Sequence, residues 1–438
     1  MIAALHRAGH VAYLAGGCVR DRLLGLTPTD HDVATDARPE DVRRVWRRSR
    51  YVGEAFGVVL ARVGDFDVEV ATFRLEADYH DHRRPDHVEF TNAREDARRR
   101  DFTINGLFED PAEKTAGQGH GDDRPLTDHP QPDLHDAETR TLDDGSVVID
   151  YVGGLADLEA GVIRAIGDPT ERFDEDYLRM LRAARFAARL GFALDDATAR
   201  AIGPLARFLG SISRERIGDE TRKMLTRPRP AAAAALCQDL RLDGPALNED
   251  HRNTPLPTLA ALEKQGESSP LPVALAAWMI DRHTTGGGVA RLQAFAETQA
   301  KRVVKRWRDA LCLSNDERDR TRKLLQLAPR SLHWGGLDKA GRKRLLAEDA
   351  WPDAARLLRA AGGSVIVDEI DRDAQPLRAE GVAPEPLITG DDLIAMGLPP
   401  GPRFKRLLAA AYDAQLNGET PTRDDALAHV RAAAGQAR

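Results

Sequence analysis

Apolar positions change their rhythm along this chain. Val11–Ala15 is a short apolar run that stops at Gly16-Gly17. His31–Ala34 has strand character, and Arg20–Leu26 suits a brief helix. Two β-rich runs, Phe56–Val63 and Phe66–Phe73, flank Gly64-Asp65, which predicts a hairpin. Residues 111–143 lose the pattern. They are rich in Gly, Asp, His and Pro, and are expected to form a disordered insertion. Gly145–Tyr151 returns to strand character. From about residue 171 the period becomes helical: Glu175–Leu190 reads as one helix with a stripe of Leu178, Leu181, Ala184, Ala188 and Phe192. The expected fold class is therefore α+β, a mixed-sheet head followed by an all-α remainder broken at 226–230 and 284–288.

Composition narrows this picture. A chain of 438 residues exceeds one ordinary core, and 42% hydrophobic residues suffice for packed interiors. The three cysteines, Cys18, Cys237 and Cys312, have neither zinc-ligand spacing nor a disulfide framework, which fits a reduced, cytoplasmic setting. The first residues lack a signal-peptide run, and no stretch is long enough to cross a membrane. A net charge of −7 leaves room for a basic face that binds RNA.

The chemistry concentrates in the head. Gly16-Gly17 allows close backbone approach to phosphate, and Arg20 can neutralise phosphate oxygens, with Asp21 orienting it. Asp30 and Asp32, one residue apart, offer two carboxylates on one side of a strand, the ligand type that divalent metals need in phosphoryl or nucleotidyl transfer. Glu69 is a candidate third carboxylate. Arg98-Arg99-Arg100-Asp101, followed by Asn105, offers contacts to triphosphate and ribose hydroxyls. Glu175 and Asp176 fall four and three residues before Arg179, on one helix face. A carboxylate accepts from the exocyclic amino group shared by cytosine and adenine, and arginine donates to ring acceptors.

These residues resemble the bacterial-type (class II) tRNA nucleotidyltransferase and poly(A) polymerase family, in that family's motif order over about residues 11–225. The matching segments are Gly16–Asp21 with Asp30 and Asp32, Arg100–Asn105, Asp150–Leu158, Glu175–Arg179 continuing through Arg182 to Phe186, and Glu215–Glu220. Tyr177 stands where relatives often have Pro or Ala, and Gly106 where Ala is usual. The resemblance implies a polymerase-β-like nucleotidyltransferase head over 1–165, a helical neck over 166–225, a body over 226–380 and a tRNA-binding tail over 381–438. It also implies two Mg²⁺ ions on Asp30 and Asp32, beside which the residues themselves offer Glu69 as a further candidate ligand, and CTP and ATP as substrates. The nucleotide would contact Gly16, Gly17, Arg20, Arg100, Asp101, Asn105 and Arg182, and Glu175, Asp176 and Arg179 would act as a protein template for C and A. The acceptor would be the tRNA 3′ end, with no membrane and no obligatory protein partner.

Residues 73–85, with Asp81, Arg83 and Arg84, resemble the complete flexible loop that CC-only enzymes lack in part. This disfavours CC-only addition and leaves full CCA addition and A-only addition both open. Gly53–Leu60 looks like the tRNA enzymes rather than bacterial poly(A) polymerases, which remain the alternative enzyme. A non-catalytic RNA-binding relative is the alternative of another class, and the intact Asp30, Asp32, Arg100, Asp101 and Arg179 argue against it. Further on, 301–308 and 342–344 are basic runs suited either to tRNA phosphates or to solvent, and 387–404 resembles the family's tail.

Overall fold

The computed structural model describes residues 1–53, 57–77, 87–111, 134–266 and 268–435. It divides into two units, Met1–Glu220 with Leu236–His251, and Thr221–Ala235 with Arg252–Arg438.

The first unit is built on a mixed sheet. In chain order its opening elements are α1 (Ile2–Arg7), β1 (Ala12–Ala15), α2 (Gly17–Leu23), β2 (Asp32–Thr35), α3 (Pro39–Val45), β3 (Ser49–Gly53), β4 (Val58–Val63) and β5 (Phe66–Thr72). Next come β6 (Arg74–Ala77), β7 (His87–Phe90), α4 (Ala93–Arg98), β8 (Phe108–Asp110), β9 (Glu138–Thr141) and β10 (Val147–Asp150). The eight-stranded sheet has the order β3-β4-β5-β2-β1-β8-β10-β9. Every neighbouring pair in it is antiparallel except β2 and β5, which run parallel. The expected hairpin joins β4 to β5, with Val63 opposite Phe66 and Gly64 at φ +60°.

Alternation along the strands divides the side chains between two faces. Ala12, Val33, Val59, Ala61 and Val70 pack with Leu5 and Val42 of α1 and α3. Tyr13, Ala15, Ala34, Phe108 and Ile149 pack with Phe73 and with Ala93 and Ala97 of α4. Asp32 and Glu69 flank Val33 and Val70, so period two places both on the α4 face.

The unit continues through α5 (Gly154–Ala160), β11 (Val162–Ile163), α6 (Pro169–Glu175), α7 (Leu178–Leu190), β12 (Ala193–Leu194), α8 (Asp196–Leu205) and, as far as Glu220, α9 (Arg214–Leu225). Buried Asp150 shapes the entry to α5: one carboxylate oxygen accepts from the amides of Val152 and Gly153, at 2.9 and 3.0 Å, and the other accepts from Leu155 N at 2.8 Å. Helix α5 lies so close to the Thr103–Asn105 turn that a Cβ on Gly154 would come 2.3 Å from the Thr103 carbonyl oxygen.

Three expectations need correction. Residues 175–190 do not form one helix: α6 ends at Glu175, Asp176 is extended at φ −153°, ψ 101°, and α7 starts at Leu178. The Asp176 side chain accepts from Leu178 N at 3.1 Å, which satisfies an amide at the start of the new helix. Within α7 the expected stripe holds, with Leu178, Leu181, Ala184 and Ala188 buried and Phe192 half-buried beyond its end. The expected insertion is narrower than 111–143 at its C-terminal side: Glu138–Thr141 pairs with β10 as an edge strand, held by backbone bonds that need no apolar side chains. Residues 112–133 lie outside the described residues. Finally, β2 begins at Asp32, so Asp30 precedes the ladder instead of sharing a strand with it.

The second unit is helical. It contains α10 (Pro230–Asp239) in part, while α11 (Asp243–Leu247) belongs to the first unit. It continues with α12 (Pro257–Glu263), α13 (Leu271–His283), α14 (Val289–Thr298), α15 (Ala300–Leu311), α16 (Asn315–Ser331), α17 (Lys339–Leu346), α18 (Trp351–Ala360) and α19 (Ser364–Glu380). Trp278 of α13 and Trp307 of α15 meet edge to face, 5.1 Å between centroids, at its centre. The last helices, α20 (Gly390–Ala395), α21 (Pro402–Asn417) and α22 (Arg423–Gly435), share their own core of Ile388, Leu393, Leu407, Ala411, Ala426 and Val430. The two basic runs differ. Lys301, Arg302, Lys305 and Arg306 are exposed on α15, whereas Arg342, Lys343 and Arg344 pair with Asp373, Glu380 and Asp413. Among the described residues no helix is long and apolar enough to cross a membrane.

The backbone oxygen facing Gly154 cannot rotate away as a side chain would. Gly154→Ala is therefore expected to destabilise the first unit by about 2 kcal/mol or more through overpacking, seen as a lower urea midpoint with the slope unchanged.

Candidate active site

Gly16 sits between β1 and α2 at φ +70°, a conformation that favours glycine. Its amide donates to Leu107 O at 2.9 Å. A Cβ there would lie 2.6 Å from Arg100 Nη1, so glycine lets a guanidinium reach the turn. Arg100 is held by Asp96, with its Nη2 3.0 Å from Oδ2, and donates from Nη1 to Asn105 O at 3.2 Å. Arg99 pairs with the same buried Asp96 at 2.6 Å, while Arg98 pairs with Glu95 on the surface.

Carboxylates stand in pairs near this turn: Asp32 with Asp30, and Asp32 with Glu69. Asp32 and Glu69 are direct register partners across the parallel β2–β5 pair. Both are solvent-accessible, yet the protein around them raises both carboxyl pKa values. Burial is the larger cause in each. Asp30 adds to the rise at Asp32 against the opposing Arg100, and Asp32 adds to the rise at Glu69 against Arg74. Like charges left together in this way suit a hard cation. Among the described residues no three His, Cys, Asp or Glu side chains are close enough to form a metal cage.

Behind the turn runs a buried ionic chain. Arg189 donates to Asp21 Oδ2 at 2.7 Å, and Arg20 donates to Asp21 Oδ1 at 2.8 and 2.6 Å. Arg20 also donates to the Asn105 side-chain oxygen. Asn105 Nδ2 donates to Asp101 Oδ1 at 2.9 Å, and Arg182 donates to Asp101 Oδ2 at 2.8 Å. Arg182 lies 3.6 Å from Glu220, which takes a 2.5 Å bond from Arg185. The Phe186 ring has the guanidinium carbons of Arg20, Arg182 and Arg185 at 4.9, 5.3 and 4.1 Å from its centroid. Arg20, expected to face phosphate, is thus turned inward at 2% exposed, with its donors on Asp21 and Asn105. Burial alone would raise the Asp101 carboxyl, but Arg182 and Asn105 hold it down at about 2.

The α6–α7 junction supplies the remaining residues. Glu175 accepts from Arg179 and from Arg172 at 2.9 Å. Arg179, buried, also donates to Arg172 O at 2.9 Å and Arg99 O at 3.3 Å, which ties the junction to the Arg99–Asp101 segment. Asp176 does not share Arg179, because the break in the helix turns it away. It is instead clasped by Arg216 of α9 through bonds of 3.2 and 2.6 Å. Asp81, Arg83 and Arg84 lie outside the described residues.

Comparison with known proteins agrees with this architecture. Residues 12–119 match the family described as Poly A polymerase head domain, and residues 191–242 match one described as Probable RNA and SrmB- binding site of polymerase A. A protein of Lactiplantibacillus plantarum named CCA-adding enzyme is 32% identical over 98% of this chain and 93% of its own length. The chain belongs to the class II tRNA nucleotidyltransferases. Another CCA-adding enzyme, from Lacticaseibacillus paracasei, is 33% identical over 95% of this chain and 91% of its own. The crystal structure of the Bacillus stearothermophilus CCA-adding enzyme in complex with CTP superposes with a TM-score of 0.69, at 28% identity, covering 99% of this chain and 96% of that one.

In this tRNA nucleotidyltransferase the residues that position the site were harder to find than those that face it. Asp96, Arg185, Arg189, Arg216 and Glu220 were not expected as site residues. Arg216 and Glu220 lie within the last matching segment, and their spacing of four on α9 puts them on one face, a signal that was present. Arg189 reaches Asp21 across 168 positions, which no local pattern reveals.

Asp101 ionises at about 2 in the folded chain and near 3.9 unfolded. Its stabilisation is fully present above the unfolded value and is lost as pH falls through the folded one. Asp101→Asn should therefore lower the urea midpoint at pH 7, and its gap to the wild type should narrow between pH 4 and pH 2.

Proposed function

We propose that this chain completes the 3′ ends of tRNA by adding C, C and A from CTP and ATP without a nucleic-acid template. The observation that carries this reading is the fixed state of the base-facing groups. Glu175 and Arg179 hold one another, Arg179 is anchored on Arg99 O, and Arg216 clasps Asp176. Side chains fixed by the protein can present one donor and acceptor pattern, as a templating base does. Relatives named CCA-adding enzyme, aligned over nearly their whole length, support full CCA addition over A-only addition.

Asp30 and Asp32 would hold the magnesium ions, with Glu69 beside Asp32. Such ions, when bound, lower the pKa of an attacking hydroxyl and neutralise a leaving pyrophosphate. The chain's own groups do the rest. Gly16 and Gly17 open the turn for the triphosphate, and Arg100 brings positive charge to it. Asp101 and Asn105, braced by Arg20 and Arg182, face the ribose, and Asp101 stays ionised at neutral pH as an acceptor. Arg179 donates to the ring acceptor of the base, and the junction carboxylates accept from its exocyclic amine. The tail helices α20–α22 and the exposed cations of α15 would lie along the tRNA.

Transcripts ending at the discriminator base, at C and at CC should all be extended to CCA with CTP, ATP and magnesium. Extension of only the CC transcript would mean A-only addition, and long A tails on unstructured RNA would mean a poly(A) polymerase. Asp30→Ala and Asp32→Ala should each lower kcat on the order of 10³-fold, with the fold intact by circular dichroism. Arg179→Ala should relax the choice between CTP, ATP, UTP and GTP more than it weakens triphosphate binding. Lost turnover with unchanged selectivity would remove the template role.

A further inference from the structure

An aromatic stack beside the α6–α7 junction has no part in the chemistry above. Phe208, in the 3₁₀ segment Ala206–Ser211, is 37% exposed. Its ring stacks on Tyr177, with centroids 5.3 Å apart and planes 19° from parallel. Tyr177 is buried between Asp176 and Leu178, and its hydroxyl donates to Asp174 Oδ1 at 2.6 Å. The exposed Arg207 guanidinium sits 4.6 Å from the Phe208 centroid. Thus Tyr177 braces one face of the Phe208 ring and the exposed Arg207 guanidinium lies over the ring, so a ring–cation stack reaches solvent beside the residue that follows Asp176.

We propose that Phe208 and Arg207 form a stacking platform for an unpaired base at the tRNA acceptor end, with Arg207 also neutralising the adjoining phosphate. This rests on the tRNA reading above. The chemistry suits a nucleobase: bases stack on guanidinium planes as well as on aromatic rings, such stacking tolerates any base, the ring holds the guanidinium flat by a cation–π contact, and the charge complements the backbone. The occupant is the RNA and not the incoming triphosphate. Tyr177 stands at the cap before α7, and the Arg179 guanidinium two positions on is turned to Glu175, Arg172 O and Arg99 O instead of to the platform. Phe208 also falls within 191–242, the span matching the family described as a probable RNA binding site, and outside the span matching the head.

The test uses the full chain with Phe208→Leu, Phe208→Trp and Arg207→Gln, measuring KM for a CC-ending tRNA transcript, KM for ATP, and thermal unfolding. Leucine keeps the apolar cover over Tyr177 but has no π face. Phe208→Leu should raise the tRNA KM about tenfold, with the ATP KM and Tm nearly unchanged, and Phe208→Trp should restore it. Arg207→Gln should reduce the salt dependence of tRNA binding by about one counterion. An unchanged tRNA KM in Phe208→Leu, or a shift confined to Tm or to the ATP KM, would mean that the ring only covers Tyr177 and would overturn the platform. If the wild type extends no tRNA, the tRNA reading fails and the platform falls with it. Extension by the wild type with Phe208→Leu unaffected sinks the platform alone.

Discussion

The alternating charges from Arg189 through Asp21, Arg20, Asn105, Asp101, Arg182 and Glu220 to Arg185 are the constraint on which the rest of the first unit depends. They link α2, the turn after α4, α7 and α9, elements that share little backbone pairing. Desolvation largely cancels the attraction within buried ion pairs, so such a chain adds modest net stability over an apolar packing of the same shape. Breaking it is a different matter, because an uncompensated buried charge costs about 3–5 kcal/mol. The arrangement is thus held by the cost of its alternatives. Each guanidinium has one set of acceptors that satisfies it, and that set fixes where the helices sit relative to the glycine turn. The Phe186 ring, ringed by three of these guanidinium groups, adds a flat surface on which they rest.

The outward-facing chemistry and the inward-facing support have opposite characters. At the open edge, burial first and a neighbouring carboxylate second raise the carboxyl pKa of Asp32 and of Glu69. Asp96 and Asp101 are buried and over-supplied with arginine, so they stay ionised without any ligand. The same residue type is therefore an accessible acid at the edge and a fixed anchor in the interior. The difference comes from the number of guanidinium groups each carboxylate meets.

Much of this could be read in the sequence, for physical reasons. The hairpin at Gly64-Asp65, the strand before Gly16 and the stripe along α7 are local patterns, and each has its element in the structure. Glu69 and Asp32 both sit in strand-like runs, and the structure pairs those strands. Helix 175–190 was misread because its residues are good helix formers throughout. What breaks it is tertiary: Arg216, forty positions away, holds Asp176 in an extended conformation that its own neighbours do not dictate. Arg20 was read as phosphate-facing because its segment is short and glycine-led. Its inward turn depends on Asn105, 85 positions later. Strand β9 has no apolar signature because an edge strand such as Glu-Thr-Arg-Thr needs only a partner for its backbone.

The parallel pairing of β2 with β5 has one more consequence. Because Val33 and Val70 face the α1–α3 side while Asp32 and Glu69 face the other, a slip of one residue in this ladder would send Glu69 into an apolar layer and bring Val70 into the open. The interval between these two carboxylates is therefore a discrete quantity. Neither gradual drift of the strands nor small insertions in the loops can stretch it by degrees. The separation follows from which rungs of the ladder pair, and it changes only when a whole rung does.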